Sequence, residues 1–169
     1  RGRVMGVATE RSIAWGIARA LAAEGAELAF TYQGEAFGKR VEPLAASVGS
    51  DILLDVDVTD DASLDAAFAA LKARWGTMDF LIHAIAYSDK AELQGRFVNT
   101  SRANFKHSLD VSCYSFIDVA RRAAELMPEG GSLVTLTYGG TKRGTPPSKP
   151  PCDAPAAAAA AAGPLGHVL

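Results

Sequence analysis

The residues with the most chemical potential stand at the ends of short apolar runs. Gly6 closes the first run, and Ser12, Ile13 and Gly16 follow it within G-V-A-T-E-R-S-I-A-W-G. A strand that turns into a helix start presents unpaired N–H groups and the positive end of the helix dipole, an arrangement suited to a pyrophosphate. The G-x-G-x-x-G spacing is absent, since the polar stretch between Gly6 and Gly16 is longer. On this motif alone, Gly6 reads equally well as a strand-end turn and Gly16 as a close-packing helix residue.

Two further positions repeat the pattern. The second apolar run ends in Tyr32, Gln33 and Gly34, where a dinucleotide site usually places a carboxylate against the adenosine ribose. A glutamine amide can bond that ribose without repelling a phosphate, although a surface loop residue reads the same way. After the third run, Asp57 could accept from an adenine amino group while Val58 packs on the ring, or Asp57 could simply start a helix. His83 ends another apolar run, where a hydrogen-bonded structural histidine is the commoner outcome than a catalytic base.

These residues need a scaffold of alternating strands and helices. Strands are expected at residues 3–7, 28–31, 51–58, 80–85 and 132–137. Ser12 is a candidate N-cap for a first helix ending at Gly25, and residues 35–48 form a second whose Pro43 must kink it or lie near its start. Thr59 is read as the cap of a third helix, with Asp60 and Asp61 in its first turn, Leu64, Ala67, Phe68 and Leu71 buried, and Gly76 as its stop. Thr100 or Ser101 caps a long helix through Phe105, Leu109, Phe116 and Val119 to Met127. Asp110, Ser112 and Tyr114 on it suit a helix contact as well as a substrate role. The fold class is therefore α/β: a doubly wound, Rossmann-type parallel sheet ending after its fifth strand.

Composition agrees. The 169 residues are 49% hydrophobic and 21% charged, enough for one core, and a net charge of −2 offers no bulk attraction to nucleic acid or anionic lipid. No apolar run is long enough to span a bilayer, so a cytoplasmic location with no membrane partner is expected. Cys113 and Cys152 lack companions at metal-ligand spacing, and no metal site is expected. Residues 1–140 read as the dinucleotide-binding domain, and 141–169 as an irregular tail, rich in proline around an alanine run at 156–162.

Six segments together carry a family resemblance: G-V-A-x-x-x-S-I-A-W-G-I-A, A-E-L-A-F-T-Y-Q-G-E, V-D-V, H-A-I-A-Y-S-D-K, D-V-S-C-Y-S-F and L-V-T-L-T-Y-G-G. In order and separation the chain resembles the NADH-dependent enoyl-acyl-carrier-protein reductases of bacterial fatty-acid synthesis, a branch of the short-chain dehydrogenase/reductase superfamily. The resemblance covers Val4 to about Gly140. It implies that Gly6, Ser12 and Ile13 hold the pyrophosphate and nearby ribose, Gln33 the adenosine ribose, Asp57 and Val58 the adenine, and Ile85 with Ala86 the middle of the cofactor. Ala86 departs from the family's glycine. Tyr87 falls on the substrate side, and Tyr138 matches the first of two tyrosines near the acyl pocket, the catalytic assignment here.

The activity so implied is hydride transfer from NADH to the C2–C3 double bond of a trans-2-enoyl thioester on acyl carrier protein, in a family that assembles as homotetramers. NADH is expected over NADPH because of Gln33, unless Lys39 or Arg40 reaches a 2'-phosphate. The family's second tyrosine and its ribose-binding lysine have no counterparts, since no tyrosine follows Tyr138 and Lys149 is at the wrong distance. An inactive or incomplete chain is therefore expected. A non-catalytic dinucleotide-binding module is one alternative, and a carbonyl-reducing short-chain dehydrogenase another, though the latter requires a Tyr-x-x-x-Lys pair that is absent.

Overall fold

The computed structural model describes residues 1–93 and 97–137. Five strands, β1 (Gly2–Met5), β2 (Leu28–Tyr32), β3 (Ile52–Asp55), β4 (Phe80–His83) and β5 (Ser132–Thr135), form one sheet in the order β3-β2-β1-β4-β5. Pairing is parallel from β3 through β4, with Met5 opposite both Thr31 and His83, and Tyr32 opposite Asp55. Helices α1 (Ile13–Ala23), α2 (Glu35–Ser47) and α3 (Asp61–Trp75) follow the first three strands, so each crossover supplies the helix that parallel pairing requires. The doubly wound expectation holds. Tyr138, the expected tail and the boundary at residue 140 lie outside the described residues.

The described residues divide into two compact units, Arg1–Ala84 with Val119–Val134, and a second built from 85–118 and 135–137. In the first, one face of the sheet buries Val4, Phe30 and Ile82 against Ala14, Trp15 and Ala18 of α1 and Val41 and Ala45 of α2. Leu64, Ala67, Phe68 and Leu71 of α3 are buried as expected. The second unit holds α4 (Arg102–Leu109), followed without a break by a π turn (Asp110–Tyr114) and then α5 (Ser115–Ala124), which continues into the first unit.

Several local expectations are corrected. The long helix is two α-helices joined by a π turn, the second ending at Ala124 rather than Met127. The strands end earlier than the apolar runs do: Val7, Val56 and Ala84 lie past them, although the Val56 and Ala84 N–H groups still donate to the Tyr32 and Met5 carbonyls. Pro43 sits neither first nor last in α2 but at an exposed mid-helix position, where one i→i−4 bond is forgone while Val41 and Ala45 stay in the core. Asp60, not Thr59, caps α3, its carboxylate accepting from the Ala62 N–H at 3.0 Å. Ser101 caps α4 as expected, accepting from the Asn104 N–H.

Strand alternation sends Arg3 to the face opposite Val4, where it is fully buried. Among the described residues no group accepts from any of its three guanidinium nitrogens; the Phe68 ring lies 4.7 Å from the guanidinium carbon. Burial, with Arg122 nearby as a second cation, pulls its pKa down to about 9, so it remains charged at neutral pH. A buried cation–π contact returns about 2 kcal/mol, against a desolvation penalty of several kcal/mol for the ion. Desolvation wins. Arg3→Met is therefore expected to raise the unfolding free energy by about 1–4 kcal/mol in urea denaturation at pH 7. Unchanged or lower stability would mean that the Phe68 contact outweighs the burial cost.

Candidate dinucleotide site

Connectivity runs outward from β1 to β2 and β3, then returns to place β4 on the other side of β1. The order thus reverses between β1 and β4, the position at which open α/β sheets bind ligands. Because β1, β2 and β3 are parallel neighbours, the loops carrying Gly6 and Ser12, Gln33, and Asp57 and Val58 all leave the same carboxyl edge.

Gly6 has φ +91°, and an added Cβ would strike the backbone carbonyl of Ala84. It is thus required by the turn where β1 and β4 end, and Gly6→Val would break that turn before any ligand arrived. Gly16 differs. A Cβ there meets nothing within 4 Å, so helix packing does not demand this glycine, contrary to the close-packing alternative.

Ser12 occupies the N-cap position of α1, but its hydroxyl does not cap the helix. Instead Oγ accepts from the N–H groups of Ala8 and Thr9, both at 3.0 Å, which cinches the loop. Trp15 and Gly16 donate to the Ser12 carbonyl. The N–H groups of Ile13 and Ala14 have no acceptor inside the helix, by the geometry of any helix start. Ile13, 68% exposed, stands beside them as an apolar surface at the positive end of α1.

Gln33 is exposed, one residue past β2. Its turn is fixed by Gly34, at φ +77°, whose N–H donates to the Asp55 carboxylate at 2.8 Å. Asp55 was not singled out in the sequence, although a carboxylate at the end of a strand beside a Gly-containing turn is the available signal. Asp57 is half-buried; its Oδ1 accepts from the Thr59 N–H at 2.9 Å and hydroxyl at 2.7 Å, and its own N–H donates to Ser63. The helix-start alternative for Asp57 therefore has direct support. Val58 is half-buried beside it. Ile85, also half-buried, is the first residue of the second unit.

Lys39 is held by Glu35 at 2.6 Å, and the Arg40 guanidinium lies over Phe37 at 5.8 Å. Both α2 cations have partners on their own helix. No helix among the described residues is long and apolar enough to cross a membrane.

The enoyl-(acyl carrier protein) reductase family model matches residues 6–162, past the Gly140 limit of the motif resemblance. The chain belongs to that family. It is 61% identical over 146 residues to the NADH enoyl-acyl-carrier-protein reductase 2 of Rhizobium meliloti, covering 86% of this chain and 54% of the relative. The Anaplasma phagocytophilum reductase structure in complex with NAD matches at 46% identity and TM-score 0.95, over 99% of this chain and 64% of that one. The Bacillus cereus reductase structure with NADP+ matches at 40% identity and TM-score 0.94, over 99% and 66%. The chain thus spans about half the length of the curated family member.

His83 follows its structural reading. It is 1% exposed in β4, and burial, reinforced by the nearby positive charge of Arg3, pushes its pKa down to about 4 despite an opposing backbone hydrogen bond. Well above pH 6.5 neither folded nor unfolded chain protonates it; as pH falls through 6.5 towards 4 the unfolded chain gains a proton that the folded one refuses. Stability is therefore lost on acidification, by about 2 kcal/mol between pH 7 and pH 5. Urea unfolding across that interval should show the loss in the natural chain and a shallower slope in His83→Asn. Equal slopes would assign the acid sensitivity to other groups.

Proposed function

We propose that this chain carries the NADH-binding part of an enoyl-acyl-carrier-protein reductase and that, as this polypeptide, it is a poor catalyst. The observation that carries the binding half is the start of α1 at the reversal of strand order: uncapped Ile13 and Ala14 N–H groups, a cinched Ser12 loop, and open space at Gly16. These features fit a pyrophosphate, which needs convergent backbone donors and no side chain in its path. In this reading Gly6 shapes the turn, Ser12 and Ile13 hold the pyrophosphate and nearby ribose, Gln33 the adenosine ribose, Asp57 and Val58 the adenine, and Ile85 the cofactor's middle. Gln33 adds no charge, and Lys39 and Arg40 have partners within α2, which favours NADH over NADPH.

Bound NADH would supply a hydride for the β-carbon of a trans-2-enoyl thioester, leaving charge on the thioester oxygen that a preorganised donor must meet. Tyr138 is the tyrosine assigned to the acyl side. No tyrosine follows it, and proline-rich sequence stands where a helix bearing the donor and a lysine would be needed. Loss of one such donor costs about 100- to 1,000-fold in rate, and loss of cofactor positioning adds to it. The whole enzyme of this family would act on enoyl-acyl-carrier protein in the cytoplasm as an assembly of identical subunits.

The test is NADH oxidation with a crotonyl thioester, comparing this chain with a chimera in which residues after Gly140 are replaced by a complete family C-terminal half. The chimera is expected to turn over at least about 100-fold faster. Comparable rates would show that Tyr138 or a group in the tail suffices.

A further inference from the structure

Dinucleotide-binding sheets usually carry a ribose-binding carboxylate at the end of the second strand, and here that position is the uncharged Gln33. A carboxylate reaches the same turn from the neighbouring strand. Tyr32, the last residue of β2, pairs with Asp55, the last residue of β3, so the two chains leave the sheet side by side. The Val56 N–H donates to the Tyr32 carbonyl at 2.7 Å, which fixes one exit against the other. Asp55 is exposed, and its Oδ1 accepts from the Gly34 N–H at 2.8 Å, one residue beyond Gln33. Among the described residues its Oδ2 has no hydrogen-bond donor.

The charge on this carboxylate is uncompensated, since among the described residues no cation forms an ion pair with Asp55. Lys39 pairs with Glu35 instead, and the Arg40 guanidinium lies over Phe37. Against Asp55 stands the start of α2, where Gly34 provides no side-chain cap. Its open N–H groups and dipole amount to about half a positive charge, which alone would favour a phosphate. A full negative charge at the same turn outweighs that. The turn also holds its place: a Cβ on Gly38 would lie 2.8 Å from the Tyr32 ring, so α2 is seated closely on the end of β2. A ribose hydroxyl can donate to a carboxylate, whereas a phosphate on that hydroxyl presents acceptors and like charge.

We propose that Asp55 is a specificity-determining residue of the adenosine-ribose subsite: its carboxylate accepts from an unphosphorylated ribose and repels a 2'-phosphate, so that the chain takes NADH and rejects NADPH. The proposal rests on the dinucleotide reading above, which assigns Gln33 to that ribose. It goes beyond that reading by making the preference an active exclusion, rather than only the lack of a cation to attract the phosphate. The charge of Asp55 and its hold on Gly34 are separable, because asparagine keeps an acceptor oxygen for the Gly34 N–H and drops the charge.

The test titrates the full chain, Asp55→Asn and Asp51→Asn with NADH and with NADPH by fluorescence, at about 0.1 M and about 1 M salt, where charges are screened over about 10 and 3 Å. Asp51, paired with Arg74, lies just before β3 at its other end, so Asp51→Asn removes the same net charge roughly 13 Å away. The natural chain should bind NADH at least about tenfold more tightly than NADPH at the lower salt, with the gap narrowing at the higher. Asp55→Asn should bind NADPH about tenfold more tightly and NADH within about threefold of the natural chain, and Asp51→Asn should match the natural chain with both. An unchanged gap in Asp55→Asn, an equal gain in Asp51→Asn, or equal loss of both nucleotides in Asp55→Asn would overturn the proposal. A natural chain that binds the two nucleotides equally well would overturn it too, while leaving the dinucleotide reading in place. Failure of the natural chain to bind either would overturn that reading, and the proposal with it.

Discussion

Parallel pairing of β1 with both β2 and β4 is the constraint on which the rest of the structure depends. Four-residue β1 is buried along its whole length, so it must be flanked on both edges and covered on both faces. Each parallel neighbour needs a crossover, and every crossover starts from the same sheet edge. The turn at Gly6 is where this tightens most. Met5 accepts from the Ala84 N–H at 3.3 Å, and the Ala84 carbonyl fills the space a side chain at residue 6 would take. The chain can leave β1 there only through glycine, and it leaves directly towards the start of α1. The same close approach that finishes the β1–β4 pairing thus aims unpaired helix N–H groups at the carboxyl edge.

The strand-helix alternation and the buried stripe of α3 were legible because they depend on periodicity, which local sequence displays. The limits of the strands were not. Val7, Val56 and Ala84 are as apolar as the strands they follow, so hydropathy does not mark where the strands end. Which polar side chain caps a helix was equally hidden: Ser12, Thr59 and Asp60 are all competent acceptors, and the choice turns on loop geometry. Ser12 is drawn back to Ala8 and Thr9, and Thr59 to Asp57, leaving Asp60 to cap α3. The motif could place Gly6 and Gly16 in a site but could not separate their roles. Their surroundings do, because one faces a carbonyl and the other open space.

Perturbed ionisable groups often mark functional sites, yet here the two most perturbed, Arg3 and His83, lie in the core of the first unit. Their perturbation comes first from burial, and His83 stays neutral through the physiological range. The groups suited to a dinucleotide are of another kind: backbone N–H groups at α1, an uncharged Gln33, and the Asp57 turn. A dinucleotide held by such groups would be bound by fixed geometry rather than by titrating side chains.

The central claim, that the carboxyl edge of β1 to β3 receives a dinucleotide, is tested most directly by mapping backbone amide shifts of this chain on titration with NADH. The account predicts saturable changes concentrated at Gly6 to Ala14, Gln33 and Asp57 to Val58, with the Ile13 and Ala14 amides among the largest because they would bond the pyrophosphate. Saturable binding with changes elsewhere, or no changes at these amides at millimolar NADH, would contradict it.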